Sequence, residues 1–178
     1  VPNTMASPYY RFDGVNDYIQ MGSEANHLET SDTSFSVAVD VYPERGSSDQ
    51  IWSKQTATGS TGTGVGLYNN GSWTVYFYDG AGNRQLITFS SGVDLNKWQN
   101  IIFVFDYENS VGKIYKNGVE VASGSATGFS AAAGQTLYLG SLSYSGSFYS
   151  QTGINNFRIF NKALTATEVK ELYSGASV

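Results

Sequence analysis

Apolar and polar residues alternate over most of the chain, and this period of two is typical of a half-buried β-strand. In residues 35–43, FSVAVDVYP, every odd-numbered position up to 41 is apolar, and a proline follows where the strand should end. In residues 98–106, WQNIIFVFD, both faces are apolar beyond the asparagine, which predicts a central strand buried on each side. The pattern therefore predicts a chain built mainly from strands.

Turn signals separate these strands at short intervals. Asn70-Gly71 and Asn117-Gly118 are asparagine–glycine pairs between alternating segments, and such pairs favour tight hairpin turns. Two more strands are predicted in residues 136–141 and 154–161. Many short strands with frequent turns predict an all-β fold, a two-sheet antiparallel sandwich of the jelly-roll kind.

One helix is predicted near the end of the chain, in LTATEVKELYSG at residues 164–175. Thr165 stands as an N-cap with Glu168 three residues later, which is the spacing of a capping box. Val169 and Leu172 form an apolar stripe, and a glycine ends the segment where a C-terminal cap belongs. We therefore expect one short C-terminal helix.

Length, charge and composition narrow the class of protein. The chain has 178 residues, no cysteine and a net charge of −5, and residues 1–178 are interpreted as a single domain. No run of basic residues offers phosphate contacts, so nucleic acid is not an expected partner. No segment approaches the roughly 20 apolar residues of a membrane span, so membrane insertion is not expected, and no signal peptide is recognisable.

Several segments, taken in order, resemble the laminin-G-like, concanavalin A-like lectin/glucanase jelly-roll domains. The stretches that carry the resemblance are YRFDGVNDYIQMG, FSVAVDVYP, IWSKQ, GLYNNGSWTVYF, LNKWQNIIFVFD, GKIYKNGVEVASG, LYLGS and INNFRIFNKALTATEVKELYSG. The resemblance implies two antiparallel sheets packed face to face, first and last strands that are neighbours, and a core position for Trp98.

The resemblance implies a function in binding and no particular ligand, because one fold carries many functions. The family is used mainly on extracellular proteins, adhesins, glycan-processing enzymes and viral particles. It therefore implies an extracellular, cell-surface or virion-surface location.

The stretch 9–22 places two aspartates, Asp13 and Asp17, around Gly14. One interpretation is a turn, since aspartate bonds to nearby backbone N–H groups and glycine frees the backbone. The other is a structural Ca²⁺, which takes oxygen ligands and is often held at the rim of the sandwich in this family. Such an ion would be held by Asp13, Asp17 and Asn155, although the family usually has an aspartate where Asn155 stands.

Sugar recognition needs an aromatic plane and polar groups at its edge, and the predicted loop 141–153 offers both. Tyr144, Phe148, Tyr149 and Gln151 lie there among serines and glycines. Aromatic rings on a polar loop either contact a ligand or fold back over the core, and both alternatives stay open.

A second candidate surface is the outer face of the hairpin at residues 72–80, SWTVYFYDG. If the apolar odd-numbered positions face the core, Tyr76 and Tyr78 face outward, close to Tyr68. A tyrosine row on an open sheet suits a glycan, a second subunit or ordinary cross-strand pairing.

Catalysis is not expected. Glycosidases of this fold need two or three carboxylates at alternate positions of one strand, and no E-x-D-x-x-E arrangement occurs in the sequence. The single histidine, His27, lies in a predicted loop and has no second histidine to complete a metal site.

The leading hypothesis is a non-catalytic, lectin-like carbohydrate-binding or adhesion module that holds a glycan by stacking and hydrogen bonds, strengthened by multivalency. The alternative is a structural or interaction protein of a virion or surface assembly, such as a capsid decoration or fibre domain. Its aromatic residues would then form subunit contacts and bind no sugar. A homo-oligomer or a larger assembly is compatible with either function.

Overall fold

The structure is a computed structural model that describes residues 8–22, 28, 30–47, 49–56, 62–142 and 148–175. Within these ranges the chain forms twelve strands and one helix. In chain order they are β1 (Tyr10–Asp13), β2 (Ile19–Met21), β3 (Phe35–Pro43), β4 (Asp49–Gln55), β5 (Gly64–Asn69), β6 (Trp73–Tyr78), β7 (Arg84–Phe89), β8 (Gln99–Asp106), β9 (Val111–Lys116), β10 (Val119–Ser125), β11 (Leu137–Leu139), β12 (Gln151–Phe160) and α1 (Ala166–Ser174).

The strands form two antiparallel sheets of six strands each. The first sheet has the order β1-β12-β3-β8-β9-β10, and the second has the order β2-β11-β4-β5-β6-β7. The first strand therefore lies beside the last, with Tyr10 opposite Ile154. The predicted all-β sandwich with one short C-terminal helix is confirmed.

The core lies between the two sheets and follows the predicted alternation. From β3 it takes Phe35 and the three valines that follow at every second position, and from β6 it takes Trp73, Val75 and Phe77. Phe35 lies at the centre of an aromatic group, with ring centroids 5.9 Å from Phe103. Tight turns connect the strands as predicted, and Gly118 has a left-handed φ of 78° in the turn between β9 and β10.

Helix α1 covers the outer face of the first sheet. Leu164 and Val169 pack there with Ala38, Ile102 and Val104, which explains why β8 is apolar on both faces. Thr165 and Glu168 form the predicted capping box, and Gly175 ends the helix with a φ of 84°. No helix within the described ranges is long and apolar enough to cross a membrane.

Strand β4 contains an irregularity that alternation does not predict. Ile51 and Trp52 are neighbours, yet both are fully buried in the same core cluster. The pairing of β4 with β5 shifts register between Gln50 and Trp52, and such a bulge turns consecutive side chains toward one side. Beyond the bulge Lys54 lies buried opposite Val65, and burial lowers the pKa of Lys54 to about 8.

Trp98 is not part of the core between the sheets, so the position implied by the resemblance is wrong. It is half-buried just before β8, and its ring packs against Tyr9 and Tyr42, with centroid distances of 5.1 Å and 5.5 Å. Tyr42 alternates with the core valines of β3 and therefore faces away from the core. The tryptophan thus belongs to the outer side of the first sheet.

Candidate functional site

The outer face of the second sheet carries a pocket of about 350 Å³, which we name the tyrosine pocket. Strands β4 to β7 supply its floor and one side, and the segments on either side of residues 143–147 supply the other side. Its aromatic residues are Tyr68, Tyr76, Tyr78 and Phe148, and its polar residues include Gln50, Gln55, Asn70 and Arg84.

Tyr76 lies flat over β5 because the strand has no side chain beneath it. Gly66 is the cross-strand partner of Tyr76, and a Cβ on Gly66 would lie 2.3 Å from the Tyr76 hydroxyl. The ring centroid of Tyr76 is 5.9 Å from that of Tyr68 and 6.2 Å from that of Tyr78. The three rings therefore form a continuous aromatic floor.

This floor is less open than the sequence suggests. Tyr76 and Tyr78 lie on the outer face as predicted, but each is only 3% exposed, so the expectation of an open tyrosine row is wrong. The rings shield one another, and the guanidinium carbon of Arg84 stands 5.9 Å from the centroid of the Tyr76 ring. Arg84 itself is exposed and forms no ion pair with a described residue, so its guanidinium is available at the mouth of the pocket.

Phe148 reaches the same pocket from the segment before β12. Its side chain is 57% exposed and its backbone has a left-handed φ of 56°. The backbone N–H of Gln50 donates to its carbonyl at 3.2 Å, and the hydroxyl of Ser150 donates to the carbonyl of Gln50 at 2.6 Å. One residue of the predicted loop surface, Phe148, therefore lies at the rim of the pocket that the predicted tyrosine surface forms.

The other residues predicted for this loop take different positions. Tyr144 lies outside the described residues. Tyr149 is not in the pocket and stacks on Tyr18, with centroids 6.5 Å apart. Gln151 is the first residue of β12 and pairs with Asp13, so it belongs to a strand and not to the loop.

Asp49 is a functional candidate that the sequence does not reveal. Its fully buried carboxylate accepts hydrogen bonds from Arg45 Nε at 2.8 Å, from the backbone N–H of Gln151 at 2.9 Å and from Asn69 Nδ2 at 3.4 Å. Burial raises the pKa of Asp49, although Arg45 and the hydrogen bonds oppose this effect. Asp49 thereby ties β4 to the start of β12 and fixes the segment that carries Phe148. Because two of its three partners, Asn69 and Gln151, come from distant segments, no local pattern marks it.

Gln50 is a second residue of the pocket that the sequence does not reveal. Its side-chain amide donates to the carbonyls of Trp52 at 2.8 Å and Leu67 at 3.0 Å, next to the bulge. The side chain thus satisfies backbone groups that the shifted register leaves without strand partners. Its position in the wall of the pocket depends on the bulge, which alternation does not predict.

The three residues predicted to bind calcium are not brought together. Asp13 and Asp17 share a turn, in which Asp13 Oδ1 accepts from the N–H of Val15 at 2.8 Å and Asp17 Oδ2 accepts from the N–H of Asp13 at 3.1 Å. Asn155 pairs with Asp40, four positions along β12 from the partner of Asp13, or about 13 Å away. The part of the chain that the structure describes contains no group of three acidic, histidine or cysteine side chains that could hold a metal. Calcium binding stays a prediction, and the turn interpretation matches the hydrogen bonds.

The chain belongs to the concanavalin A-like lectin/glucanases superfamily, whose family model matches residues 13–170. This confirms the resemblance drawn from the sequence. No curated protein shows significant similarity to the chain.

Several solved structures share the fold. The chain superimposes on the CBM40 module of the Ruminococcus gnavus IT-sialidase, solved bound to α2,3-sialyllactose, with a TM-score of 0.74 and 14% identity over 93% of this chain and 98% of that one. The receptor-binding domain of botulinum neurotoxin D gives a TM-score of 0.75 and 17% identity over 97% of this chain and 45% of that one. The NanB sialidase of Streptococcus pneumoniae gives 0.72 and 19% over 92% of this chain and 27% of that one. The chain therefore spans less than half of the length of the toxin domain and about a quarter of the sialidase, and at these identities the likeness shows the fold.

Proposed function

We propose that this chain is a carbohydrate-binding module and that a sugar binds in the tyrosine pocket. The observation that carries the proposal is the meeting of an aromatic floor, an exposed Phe148 and polar side chains in one pocket of about 350 Å³. The exposed ring of Phe148 suits the C–H side of a sugar ring, and a few placed polar groups fix the orientation of the sugar.

The floor and the rim of the tyrosine pocket have different roles in binding. The floor is apolar and rigid, because Tyr76 is held between Gly66 below and Arg84 above. The rim presents the exposed Asn70 and Arg84, which supply amide and guanidinium hydrogen bonds to hydroxyl or carboxylate oxygens. Because Arg45 neutralises Asp49, Arg84 is the lining cation that a negatively charged sugar would meet.

The comparisons support this class of function without identifying the ligand. The family includes lectins by its description, and one structural neighbour carries α2,3-sialyllactose. The neighbours also support a secreted or surface location for this chain, which we propose with the function.

The test is a titration with α2,3-sialyllactose and with lactose, preceded by a glycan array to find other ligands. We expect Phe148→Ala to weaken binding about tenfold, the loss of one stacked ring in a sugar site. Tyr107→Ala is the matched control, because Tyr107 is 46% exposed and lies in the turn between β8 and β9. A second arm with EDTA tests whether calcium takes part in binding or stability.

Failure of the folded protein to bind any glycan would overturn the proposal. Equal losses in Phe148→Ala and Tyr107→Ala would place the sugar elsewhere. A loss of binding or stability with EDTA would support the predicted calcium, and unchanged values would count against it.

The alternative, a structural or interaction protein of a surface or virion assembly, is favoured by a different observation. Exposed apolar residues gather on β1, β2 and the segments beside them, at the same edge of both sheets: Tyr9, Tyr10, Tyr18 and Met21, each between 38% and 68% exposed. Exposed aromatic residues of this kind suit contacts between subunits. The oligomeric state in solution separates this function from sugar binding by a monomer.

A further inference from the structure

The outer face of the first sheet carries a second pocket, of about 240 Å³, which we name the amide pocket. It lies on the side of the sandwich opposite the tyrosine pocket. The residues that matter to it are Asp40, Trp98, Asn100, Asn156, Arg158 and Tyr173.

The composition of β3 and β8 changes where α1 stops covering them. Ala38 and Ile102 lie under the helix and are buried, whereas Asp40 and Asn100 lie two positions further along on the same face. Asp40 and Asn100 are direct cross-strand partners. The sheet therefore changes from apolar to polar at the edge of the helix, and the pocket occupies that polar part.

The carboxylate of Asp40 is held in one orientation by two amides. Asn100 Nδ2 donates to its Oδ1 at 2.8 Å, and Asn156 Nδ2 donates to its Oδ2 at 2.7 Å. Asn156 reaches Asp40 from a bulge in β12, where its φ is 49° and the pairing with β3 shifts register. Each carboxylate oxygen has lone pairs left for another donor, so Asp40 can still accept a hydrogen bond from a ligand hydroxyl.

The cluster of Asp40, Asn100 and Asn156 differs from an ordinary solvated polar surface. Asn100 Oδ1 is buried and receives no hydrogen bond from a described residue, although buried amide oxygens are almost always paired. The orientation of this amide is fixed, since turning it would place its oxygen against the carboxylate of Asp40. The unpaired oxygen lies below the surface of the pocket, beside the amide that holds Asp40, so the Asp40–Asn100 pair is a built polar group.

Two further side chains of the pocket, Trp98 and Arg158, have polar groups without a partner among the described residues. Trp98 is braced by Tyr9 and Tyr42, and its indole N–H makes no hydrogen bond with any described residue. The guanidinium of Arg158 is exposed and likewise has no partner among the described residues. Tyr173 forms another wall, fixed by close packing on Gly118, where an added Cβ would lie 3.1 Å from its ring.

We propose that the amide pocket is a second carbohydrate site and that it binds a single neutral hexopyranose ring. A ring hydroxyl donates to Asp40, a neighbouring hydroxyl accepts from Arg158, and the apolar face of the ring packs on Trp98. The volume of about 240 Å³ lies below the roughly 300 Å³ at which typical ligand pockets begin, which suits one ring. The lining carries one carboxylate, Asp40, and one guanidinium, Arg158, so its charges balance and it suits an uncharged sugar. This site does not depend on the tyrosine pocket.

The test follows the indole N–H signals in NMR spectra of the intact chain. The chain has three tryptophans, of which Trp52 and Trp73 are fully buried in the core. Trp98→Phe assigns the third signal. The probes are the methyl glycosides of glucose, galactose and mannose at millimolar concentrations, with the methyl glycoside of N-acetylneuraminic acid as the anionic probe.

We expect a saturable shift of the Trp98 signal with at least one neutral glycoside, while the Trp52 signal stays in place. Asp40→Asn should weaken that binding about tenfold, the loss of one hydrogen bond to a charged group. Asp106→Asn is the matched control, because Asp106 is also held by an asparagine amide, from Asn109 at 2.8 Å, but lies outside the pocket. Arg158→Gln, at an exposed position, should weaken binding several-fold without unfolding the chain.

Phe148→Ala should leave the shift of Trp98 unchanged, so that failure of the tyrosine pocket and failure of the amide pocket are distinguishable. The proposal is overturned if no neutral glycoside moves the Trp98 signal, or if only the anionic probe does. It is equally overturned if Asp40→Asn and Arg158→Gln, both correctly folded, bind the glycoside as tightly as the original protein.

Discussion

At the scale of single residues, the tyrosine pocket depends on Gly66, because this residue has no side chain. Gly66 leaves the space over β5 into which the ring of Tyr76 fits. The glycine needs no unusual backbone angle, and its role is to allow this close approach. The aromatic floor is therefore built by a glycine on one strand and a tyrosine on the next.

Gly66→Ala tests this dependence. The new Cβ would lie 2.3 Å from the Tyr76 hydroxyl and 2.9 Å from the carbonyl oxygen of Trp52, so the ring must move. We expect a loss of about 1–3 kcal/mol in the free energy of unfolding, measured in urea, and weaker sugar binding.

Gly46→Ala is the control, since its Cβ would meet only the side chain of Leu95 at 3.8 Å, an ordinary contact. If both variants unfold at the same urea concentration as the original protein, Gly66 is not needed to seat Tyr76.

The buried carboxylate of Asp49 makes a second prediction at this scale. Asp49→Ala removes the acceptor of Arg45 Nε and of the buried N–H of Gln151, whereas Asn69 Nδ2 keeps its bond to the carbonyl of Arg45. We expect a loss of about 3 kcal/mol or more in the free energy of unfolding, because unpaired buried donors keep their full desolvation cost. Sugar binding should also weaken, since Phe148 loses its support.

Asp79→Ala is the control for Asp49→Ala. Both aspartates accept three hydrogen bonds, but those of Asp79 lie in an exposed turn. They come from the N–H groups of Ala81 and Asn83 and from the side chain of Asn83. Water replaces these bonds, so we expect a much smaller loss in the free energy of unfolding than for Asp49→Ala. Similar losses in both aspartate variants would show that Asp49 has no special role.

At the scale of elements, the C-terminal helix is stabilised by charge at its first turn. Glu168 accepts hydrogen bonds from Lys162 Nζ and from the N–H and hydroxyl of Thr165, and the bond from Lys162 is the main reason that its pKa falls to about 2, from an ordinary value of 4.5. Because the pKa is lower in the folded state, this contribution is complete above pH 4.5 and is lost as the pH falls toward about 2.

Glu168→Gln isolates this contribution, since glutamine does not titrate. The melting temperature of the original protein should exceed that of the variant at neutral pH, and the difference should shrink as the pH falls below 4.5. Glu171→Gln, on the exposed side of the same helix, should show no such pH-dependent difference. A constant difference between the original protein and Glu168→Gln over the whole range would contradict the assigned pKa.

The strands and the helix were predictable from the sequence because local patterns specify them. The tyrosine pocket was predictable only in part. Alternation placed Tyr76 and Tyr78 on the outer face, and the capping box placed α1, because each depends on neighbours a few residues away. The bulge at Gln50, the buried Asp49 and the outer position of Trp98 depend on partners far along the chain. Local patterns carry no information on such partners, so the position of Phe148 beside the tyrosines was not predictable.

At the scale of the whole molecule, the sandwich presents its two pockets on opposite outer faces. The tyrosine pocket lies on the second sheet and the amide pocket on the first, with the hydrophobic core between them. The core is rigid and separates the sites, so each should bind without altering the other. Two sites facing opposite directions suit a module that links separate glycan chains, which strengthens weak single contacts.

The edge strands of the two sheets determine how readily two copies of the molecule could pair through their strands. Strands β1 and β2 are edge strands of only four and three residues, and Arg11 on β1 is paired with Glu44 at 2.6 Å. At the other edge of the first sheet, the register of β10 shifts between Glu120 and Ala122. Short, charged or bulged edges oppose strand pairing between molecules.

We therefore expect a monomer of 19.3 kDa in sedimentation velocity at micromolar concentrations, despite the exposed aromatic residues beside β1. Tyr10, which is 68% exposed, is the residue that an assembly through this edge would bury first. If the protein instead forms a dimer that Tyr10→Ser dissociates, the aromatic edge is a subunit interface and the assembly function gains support. If Tyr10→Ser leaves a monomer and both sugar titrations unchanged, the exposed edge has no role in either function, and binding rests on the two pockets.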